Sequence, residues 1–244
     1  MRKTENIRYV AFLSFVAALG GFLFGYDTAV ISGTVIQVSS QFNLTTIESG
    51  WYVGCALVGS ILGVSVAGTL SDKFGRKPTM MISAALFLLS ALGCAVASNF
   101  DILVISRIIG GIGIGIVSIV CPLYISEISV TAYRGRMVSL YQLAITIGFL
   151  GAYLMNYYLL ETSYTFQSNS ELISKIFHSE VWRAMLGAET IPALIFMLII
   201  FIIPESPRWL IIHSQEKKAL ITLENIYRNK GMVDFQVSET KAML

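Results

Sequence analysis

Long apolar runs separated by short polar stretches dominate the sequence. A helix needs about 20 apolar residues to cross a bilayer. Six segments meet that length: 9–32, 50–70, 79–98, 102–126, 138–160 and 182–204. After residue 209 the continuous apolar character ends, and Leu220, Leu223 and Ile226 recur at helical spacing among polar residues. The pattern predicts an all-α, polytopic membrane protein, with a six-helix transmembrane bundle over 1–209 and an amphipathic helical segment over 210–244.

The composition supports a membrane protein and excludes other classes. The chain is 55% hydrophobic and 13% charged, whereas about a quarter of the residues in a soluble domain are charged. A net charge of +2, with Lys and Arg scattered among apolar runs, argues against a nucleic-acid-binding protein. We find no nucleophile–base set, no nucleotide-binding loop and no metal-ligand spacing, since Cys55, Cys94 and Cys121 lie inside apolar runs. We therefore expect neither an enzyme nor a metal or cofactor site.

The positions of Lys and Arg predict the orientation. They concentrate at the N-terminus, between the second and third apolar segments, between the fourth and fifth, and in the C-terminal tail: Arg2, Lys3, Arg8, Lys73, Arg76, Lys77, Arg134, Arg136, Arg208, Lys217 and Lys218. Basic loops stay on the cytoplasmic side of a membrane. The sequence thus predicts a multi-pass protein of the cell (inner) membrane with both termini in the cytoplasm. A short surface helix is expected around 170–177, in the longest outer loop.

Small residues predict where the helices touch. Glycine pairs four residues apart let helix backbones approach closely in membranes. The chain has four such pairs inside its apolar segments: Gly21/Gly25, Gly50/Gly54, Gly59/Gly63 and Gly111/Gly115. We interpret them as helix-packing positions.

Two ionisable residues, Asp27 and Arg107, interrupt the apolar segments. At 1.5 Å per residue, Asp27 lies roughly 27 Å along the first helix, and Arg107 lies roughly 7 Å from the outer edge of the fourth. Both are therefore in the outer half of the bilayer, where they can pair, and an unpaired charge there would be costly. One interpretation is a static salt bridge. The other is a proton switch, because protonation of Asp27 would release Arg107.

Several motifs in succession point to one family. They are GGFLFGYDTAVISG (20–33), GTLSDKFGRK (68–77), RIIGGIGIG (107–115), PLYISE (122–127), RG (134–135), WR (182–183) and PESPRWL (204–210). With these motifs in this order, the chain resembles the N-terminal half of a sugar porter of the major facilitator superfamily, and is similar to bacterial proton-coupled symporters of the D-xylose type. The resemblance covers about residues 20–210.

The resemblance implies roles for individual residues. Asp27 would be the proton-coupling carboxylate and Arg107 its partner on the fourth helix. Gln142 would form hydrogen bonds with the sugar, which suits an amide that both donates and accepts. Phe24 would cover an apolar face of the sugar, although ordinary core packing is an equal alternative for this side chain.

A second set of charged residues would have a gating role. In the family, the matching residues form salt bridges between helix ends on the inner face, which hold the outward-facing state together and open as the transporter turns inward. These residues are Asp72, Arg76, Glu127, Arg134, Glu189, Glu205 and Arg208. Ion pairs near water contribute little individually, so such a set can form and break during a transport cycle.

The resemblance also implies that a part of the transport unit lies elsewhere. Sugar porters have twelve helices, and their sugar site lies between two six-helix halves. Residues 210–244 resemble the start of the cytoplasmic linker that joins the halves, stopping partway, so we expect either a truncated chain or a half that pairs with another chain. The expected function is proton-coupled symport of a monosaccharide by alternating access. The alternative is a non-transporting remnant or a membrane sugar sensor.

Overall fold

The structure is a computed structural model that describes residues 5–164 and 175–242. Helices make up almost all of this part of the chain, and it contains no β-strand. The helices are α1 (Ile7–Gln41), α2 (Thr46–Phe74), α3 (Arg76–Val96), α4 (Phe100–Ile128), α5 (Arg134–Ser163), α6 (Val181–Gly187), α7 (Thr190–Ile200), α8 (Pro207–Ile212), α9 (Glu216–Ile226) and α10 (Lys230–Ala242). A π-helical turn, Lys175–Ser179, precedes α6.

Six membrane spans are present, as the apolar pattern predicts. They are formed by α1 to α5 and by α6 together with α7, which make up the span Val181–Ile200. Helices α1, α2 and α4 extend beyond the predicted segments, and each begins after a polar capping residue that lies outside the apolar run. For example, Thr45 and Glu48 form a reciprocal capping box at the start of α2, and Asn99 caps α4. The expected helix around 170–177 is represented only by the π-helical turn, since 170–174 lie outside the described residues.

The spans pack in a simple order. The most extensive contacts join α5 to α1 and α2 to α4, while α1 also packs along α4. The helices α5, α1, α4 and α2 therefore lie side by side. Helix α3 packs against α4, and the sixth span packs against α3 and α1. We call the end at which α1 begins the N-terminal end of the bundle.

Glycine contacts bring α2 and α4 together. Gly59 and Gly63 on α2 lie against Gly111 and Gly115 on α4, so that the two backbones touch. A Cβ atom on Gly59 would collide with the carbonyl oxygen of Ile108. Both glycine pairs therefore serve the packing that the sequence predicts.

The other two glycine pairs differ from each other. Gly21 and Gly25 on α1 lie against the α5 backbone at Tyr141 and Ile145, in agreement with the packing interpretation. By contrast, a Cβ atom on Gly50 or Gly54 would meet nothing within 4 Å. For that pair the packing prediction is wrong within the described chain, because their face of α2 has no neighbouring helix.

The C-terminal segment folds back onto the N-terminal end of the bundle. Leu223, Ile226 and Val233 are buried in the same hydrophobic cluster as Val10 of α1. The backbone N–H of Asn6 donates a hydrogen bond of 2.8 Å to the carbonyl of Ile226. Helices α8 to α10 thus cover the start of α1 and are part of the folded unit.

The glycine contacts predict opposite effects for two matched substitutions on α2. We expect Gly59→Ala to lower the stability by about 1–3 kcal/mol, because its methyl group forces the α2 and α4 backbones apart. Gly54→Ala should be neutral or slightly stabilising, since the methyl group meets no atom and alanine favours the helix. Thermal unfolding of the purified variants in detergent measures both effects. Equal loss of stability in the two variants would contradict the packing described above.

Candidate functional site

A buried ion pair connects α1 and α4 in the membrane-spanning part of the bundle. The Nη1 atom of Arg107 lies 2.5 Å from the Oδ1 atom of Asp27. Only 1% of Asp27 and 2% of Arg107 is exposed to solvent. Arg107 also donates a longer hydrogen bond of 3.4 Å to the backbone carbonyl of Asp27. The two charges therefore stabilise each other in an environment where either one alone would be costly.

Small residues bring α3 close to α4 beside this pair. Gly110 lies one turn after Arg107 on α4, and a Cβ atom there would be 3.7 Å from the Asp27 carboxylate. The same Cβ atom would collide with the hydroxyl of Ser90 on α3, which packs against Gly110. The close approach of α3 and α4 at this level thus depends on a glycine and a serine.

The structure corrects the predicted location of Glu189. We expected Glu189 among the salt bridges of the inner face, but its carboxyl group lies beside that of Asp27, and only 2% of the residue is exposed. Glu189 lies at the break between α6 and α7, eight residues after the start of the span, which is about 12 Å of helix. That depth matches Arg107 on α4, whereas the N-terminal end of the bundle lies at the other end of the span.

The three charged residues form a group with unmatched charges. Two carboxyl groups, Asp27 and Glu189, accompany one guanidinium group, Arg107. In the described residues, Asp27 Oδ2, Glu189 Oε1 and Arg107 Nε are buried without a hydrogen-bond partner. Two carboxylates can only accept, so a hydrogen bond between them requires a proton on one of them.

The two residues predicted to contact a sugar lie on adjacent helices. Gln142 on α5 is exposed, and Phe24 on α1 is partly buried. The backbones of α1 and α5 touch at this level, because Gly25 lies against the carbonyl of Ile145 and Gly148 lies against the carbonyl of Phe22. The structure therefore places Gln142 and Phe24 on neighbouring helices, about one turn apart in height.

At the N-terminal end of the bundle, Arg76 organises a second charged group. Its Nε and Nη2 atoms each donate a hydrogen bond of 2.9 Å to Glu127 at the end of α4, in a bidentate pair. The Nη1 atom lies 3.2 Å from Asp72 at the end of α2. The side chains of Arg76 and Glu127 are 7% and 4% exposed, whereas that of Asp72 is 75% exposed. Arg76 thus connects three helix ends.

Glu205 joins this group through the backbone. Its carboxylate accepts hydrogen bonds from the backbone N–H groups of Arg76 (3.0 Å), Lys77 (3.1 Å) and Ser206 (2.7 Å). It therefore caps the start of α3, where free N–H groups favour an anion. Burial raises the pKa of the Glu205 carboxyl group, and these hydrogen bonds lower it in part.

The two remaining arginines of the predicted set are close to this group but not part of it. Arg134 and Arg208 are exposed and line a cavity of about 190 Å³, together with Glu127, Gln236 and Glu239. Among the described residues, no carboxylate lies within 4 Å of either guanidinium group. Of the seven predicted gating residues, the structure therefore brings four together around Arg76, leaves two nearby without an ion pair, and places Glu189 elsewhere.

Comparison with known proteins identifies the family. The sequence profile of the family described as "Sugar (and other) transporter" matches residues 13–244. The chain belongs to this sugar transporter family. It is a family of transporters rather than enzymes.

Relatives in the sugar transporter family include proteins named as proton symporters. The chain is 36% identical to the D-xylose-proton symporter of Escherichia coli K12, an alignment that covers 94% of this chain and 50% of the relative. It is 39% identical to the galactose-proton symporter of the same strain, covering 84% of this chain and 40% of the relative. The D-xylose transporter of Levilactobacillus brevis is also 39% identical, in an alignment that covers 98% of this chain and 49% of the relative. The chain spans about half the length of these relatives.

Solved structures of the sugar transporter family have the same fold. The proton:xylose symporter XylE bound to 6-bromo-6-deoxy-D-glucose superposes with a TM-score of 0.87 at 36% identity, over 97% of this chain and 53% of that one. The partially occluded, inward-open form of XylE from E. coli superposes with a TM-score of 0.85 at 35% identity. The six-helix bundle is therefore the N-terminal half of the major facilitator fold.

Sequence reasoning missed two polar contacts inside this half. Besides the position of Glu189, it overlooked Asn156 on α5, whose side-chain amide donates a hydrogen bond of 3.0 Å to the carbonyl of Val30 on α1. A signal for Glu189 was available: it lies within an apolar segment, three residues before Pro192, which cannot donate a helix hydrogen bond. A similar signal was available for Asn156, a polar residue within the predicted apolar segment 138–160.

The different exposure of the two partners of Arg76 predicts unequal effects of neutralising them. Glu127→Gln should destabilise the protein by about 3–5 kcal/mol, because it leaves a buried arginine without its bidentate carboxylate. The matched change Asp72→Asn should cost less than about 1 kcal/mol, since that pair is solvated. Thermal unfolding in detergent at low and high salt compares them. If Asp72→Asn were the more harmful change, the burial of the Arg76–Glu127 pair would not be the stabilising feature.

Proposed function

We propose that this chain forms one six-helix half of a proton-coupled monosaccharide symporter that works by alternating access. The relatives named as proton symporters for xylose, galactose and arabinose support this proposal. A second six-helix half, supplied by more of the same polypeptide or by another chain, would complete the sugar site. In this proposal the protein lies in the cell (inner) membrane with both termini in the cytoplasm, and residues 210–242 form the first part of a cytoplasmic linker.

The observation that carries the proposal is the buried group of Asp27, Glu189 and Arg107. Ionisable residues inside a membrane are expensive to bury, and they mark ion and proton pathways in transporters. With both carboxyl groups ionised, the group would carry one excess negative charge in a medium of low polarity. One bound proton removes that charge. Proton occupancy would therefore change the electrostatic energy between α1, α4 and the sixth span.

The proposed coupling between proton binding and helix movement depends on which carboxylate, Asp27 or Glu189, pairs with Arg107. With Asp27 ionised, Arg107 holds α1 against α4. Protonation of Asp27 would weaken that contact and let Arg107 pair with the adjacent Glu189 carboxylate. The guanidinium charge would remain neutralised in both arrangements, and the bound proton would remove the one excess negative charge of the unprotonated group. Such a two-state contact can bias the bundle between two orientations.

The remaining predicted residues would serve substrate binding and gating. Gln142 would donate to and accept from sugar hydroxyls, and Phe24 would cover an apolar part of the sugar ring. The group around Arg76 would act as the inner gate, with Arg134 and Arg208 available to pair with carboxylates of the second half. Ion pairs close to water are weak enough to exchange during a cycle.

Uptake of labelled D-xylose, by cells that lack other pentose transporters and express the protein from its native gene, tests the proposal. We expect accumulation that a protonophore abolishes. Sequencing the gene beyond the codon for Leu244 establishes whether the same polypeptide supplies the second half. Correct membrane insertion without uptake of D-xylose, D-galactose or L-arabinose would contradict the symporter function and would favour a non-transporting protein.

The buried group predicts that Asp27→Asn abolishes proton-driven accumulation while leaving the protein folded. An asparagine cannot exchange a proton, but Glu189 remains to neutralise Arg107, so the loss of stability should stay below the 3–5 kcal/mol of a broken buried pair. Accumulation ratios at an imposed pH gradient, with thermal unfolding in parallel, measure the two effects. Asp101→Asn, an exposed change in the first turn of α4, is the control. Accumulation by Asp27→Asn at the wild-type level would rule out its role in coupling.

A further inference from the structure

The two sides of the contact between α1 and α5 differ in chemistry. One side is an apolar groove of about 300 Å³, lined by Phe15, Leu19, Phe22, Leu143 and Ile147 with neighbouring alanines and a leucine. It offers nothing for a sugar to hydrogen-bond. On the other side lie Phe24, Thr28, Gln142 and Thr146.

Helix geometry places these four residues in two neighbouring strips. Residues four apart lie on the same face of a helix, with Cβ atoms about 5–6 Å apart. Gln142 and Thr146 are both exposed on α5, and the exposed Thr28 follows Phe24 by one turn on α1. Because the α1 and α5 backbones touch, the strips are adjacent. Thr146 lies at about the height of Phe24.

The hydroxyl group of Thr146 is oriented by its own helix and keeps the capacity to accept. Its Oγ1 atom donates a hydrogen bond of 3.2 Å to the carbonyl of Gln142. A hydroxyl that donates its proton in this way still has lone pairs for a further donor. Its position next to the Gln142 side chain leaves the two polar groups separated by about one helix turn. That separation is about the breadth of one sugar ring.

We propose that Thr146 is a specificity-determining residue, which accepts a hydrogen bond from a monosaccharide hydroxyl next to the one bound by Gln142. The inference rests on the proposed function, because it assigns a further contact to the same sugar site. A sugar that lacks this hydroxyl leaves Thr146 Oγ1 without that donor, whereas a sugar that has it binds more tightly. Thr146 then contributes to selection among sugars that differ at one position.

The test compares two substitutions of Thr146 with a matched control on the same helix. Thr146→Val keeps the shape and removes the hydroxyl, while Thr146→Ser keeps the hydroxyl. Thr162→Val is the control, since Thr162 makes the same type of bond, of 2.7 Å, to the carbonyl four residues before it. Initial rates of uptake are measured for D-xylose and for each of its monodeoxy analogues, with the protein expressed from its native gene.

We expect Thr146→Val to raise the KM for D-xylose roughly tenfold with little change in the maximal rate, as the loss of one hydrogen bond in a binding site would. Thr146→Ser should restore the KM, and Thr162→Val should leave it unchanged. For one monodeoxy analogue, the KM of wild type and Thr146→Val should coincide, because the partner hydroxyl is already absent. That coincidence would identify the sugar hydroxyl that Thr146 contacts.

Other outcomes overturn the inference in distinguishable ways. If Gln142→Ala raises the KM and Thr146→Val does not, the sugar site stands and Thr146 has no part in it. If Thr146→Val raises the KM equally for D-xylose and every monodeoxy analogue, its effect is on the helix and not on a sugar contact. If the wild-type protein transports none of these sugars, the proposed function fails and the inference fails with it.

Discussion

The buried pair of Asp27 and Arg107 constrains the arrangement of the bundle more than any other interaction. A charged side chain in the apolar interior is tolerated only when a partner neutralises it, since each unpaired ion would cost several kcal/mol. This requirement brings α1 and α4 together at one height and in one rotation. Beside the pair, α3 packs closely on α4, where a larger side chain at Gly110 would displace Ser90. The break in the sixth span then brings Glu189 to the same point.

Helix α4 connects this pair to the charged group at the N-terminal end of the bundle. Arg107 lies near the start of α4 and Glu127 near its end, separated by 20 residues, or about 30 Å of helix. The two groups differ in their surroundings: the first is buried, whereas the second includes the largely exposed Asp72. A displacement of α4 would change the contacts of both charged groups. A change in the Asp27–Arg107 pair that moves α4 would therefore also alter the contacts of Arg76 with Glu127.

Much of the fold could be predicted from the sequence, because the membrane imposes a simple rule on apolar length. The six spans follow from it, and the pairing of Asp27 with Arg107 follows from one charge on each of two helices at similar depth. The prediction for Glu189 is wrong because it follows the family resemblance, whereas the depth of Glu189 along the sixth span places it at the level of Arg107. The pair Gly50/Gly54 was misinterpreted for a different reason. Spacing of four places two glycines on one face of a helix, but only the tertiary packing decides whether another helix covers that face.

One turn of α1 relates the two parts of the proposed mechanism. Asp27 lies between Phe24 and Thr28 in the sequence, yet it is buried against α4, whereas Thr28 is exposed on the side next to α5. A helix turn is stiff, so a change in the Asp27–Arg107 contact that rotates or shifts α1 must move Phe24 and Thr28 with it. In the proposed mechanism, this rigid geometry would link proton occupancy on one side of the helix to sugar contacts on the other. The coupling therefore needs no chain of intermediate residues, only a helix with two different faces.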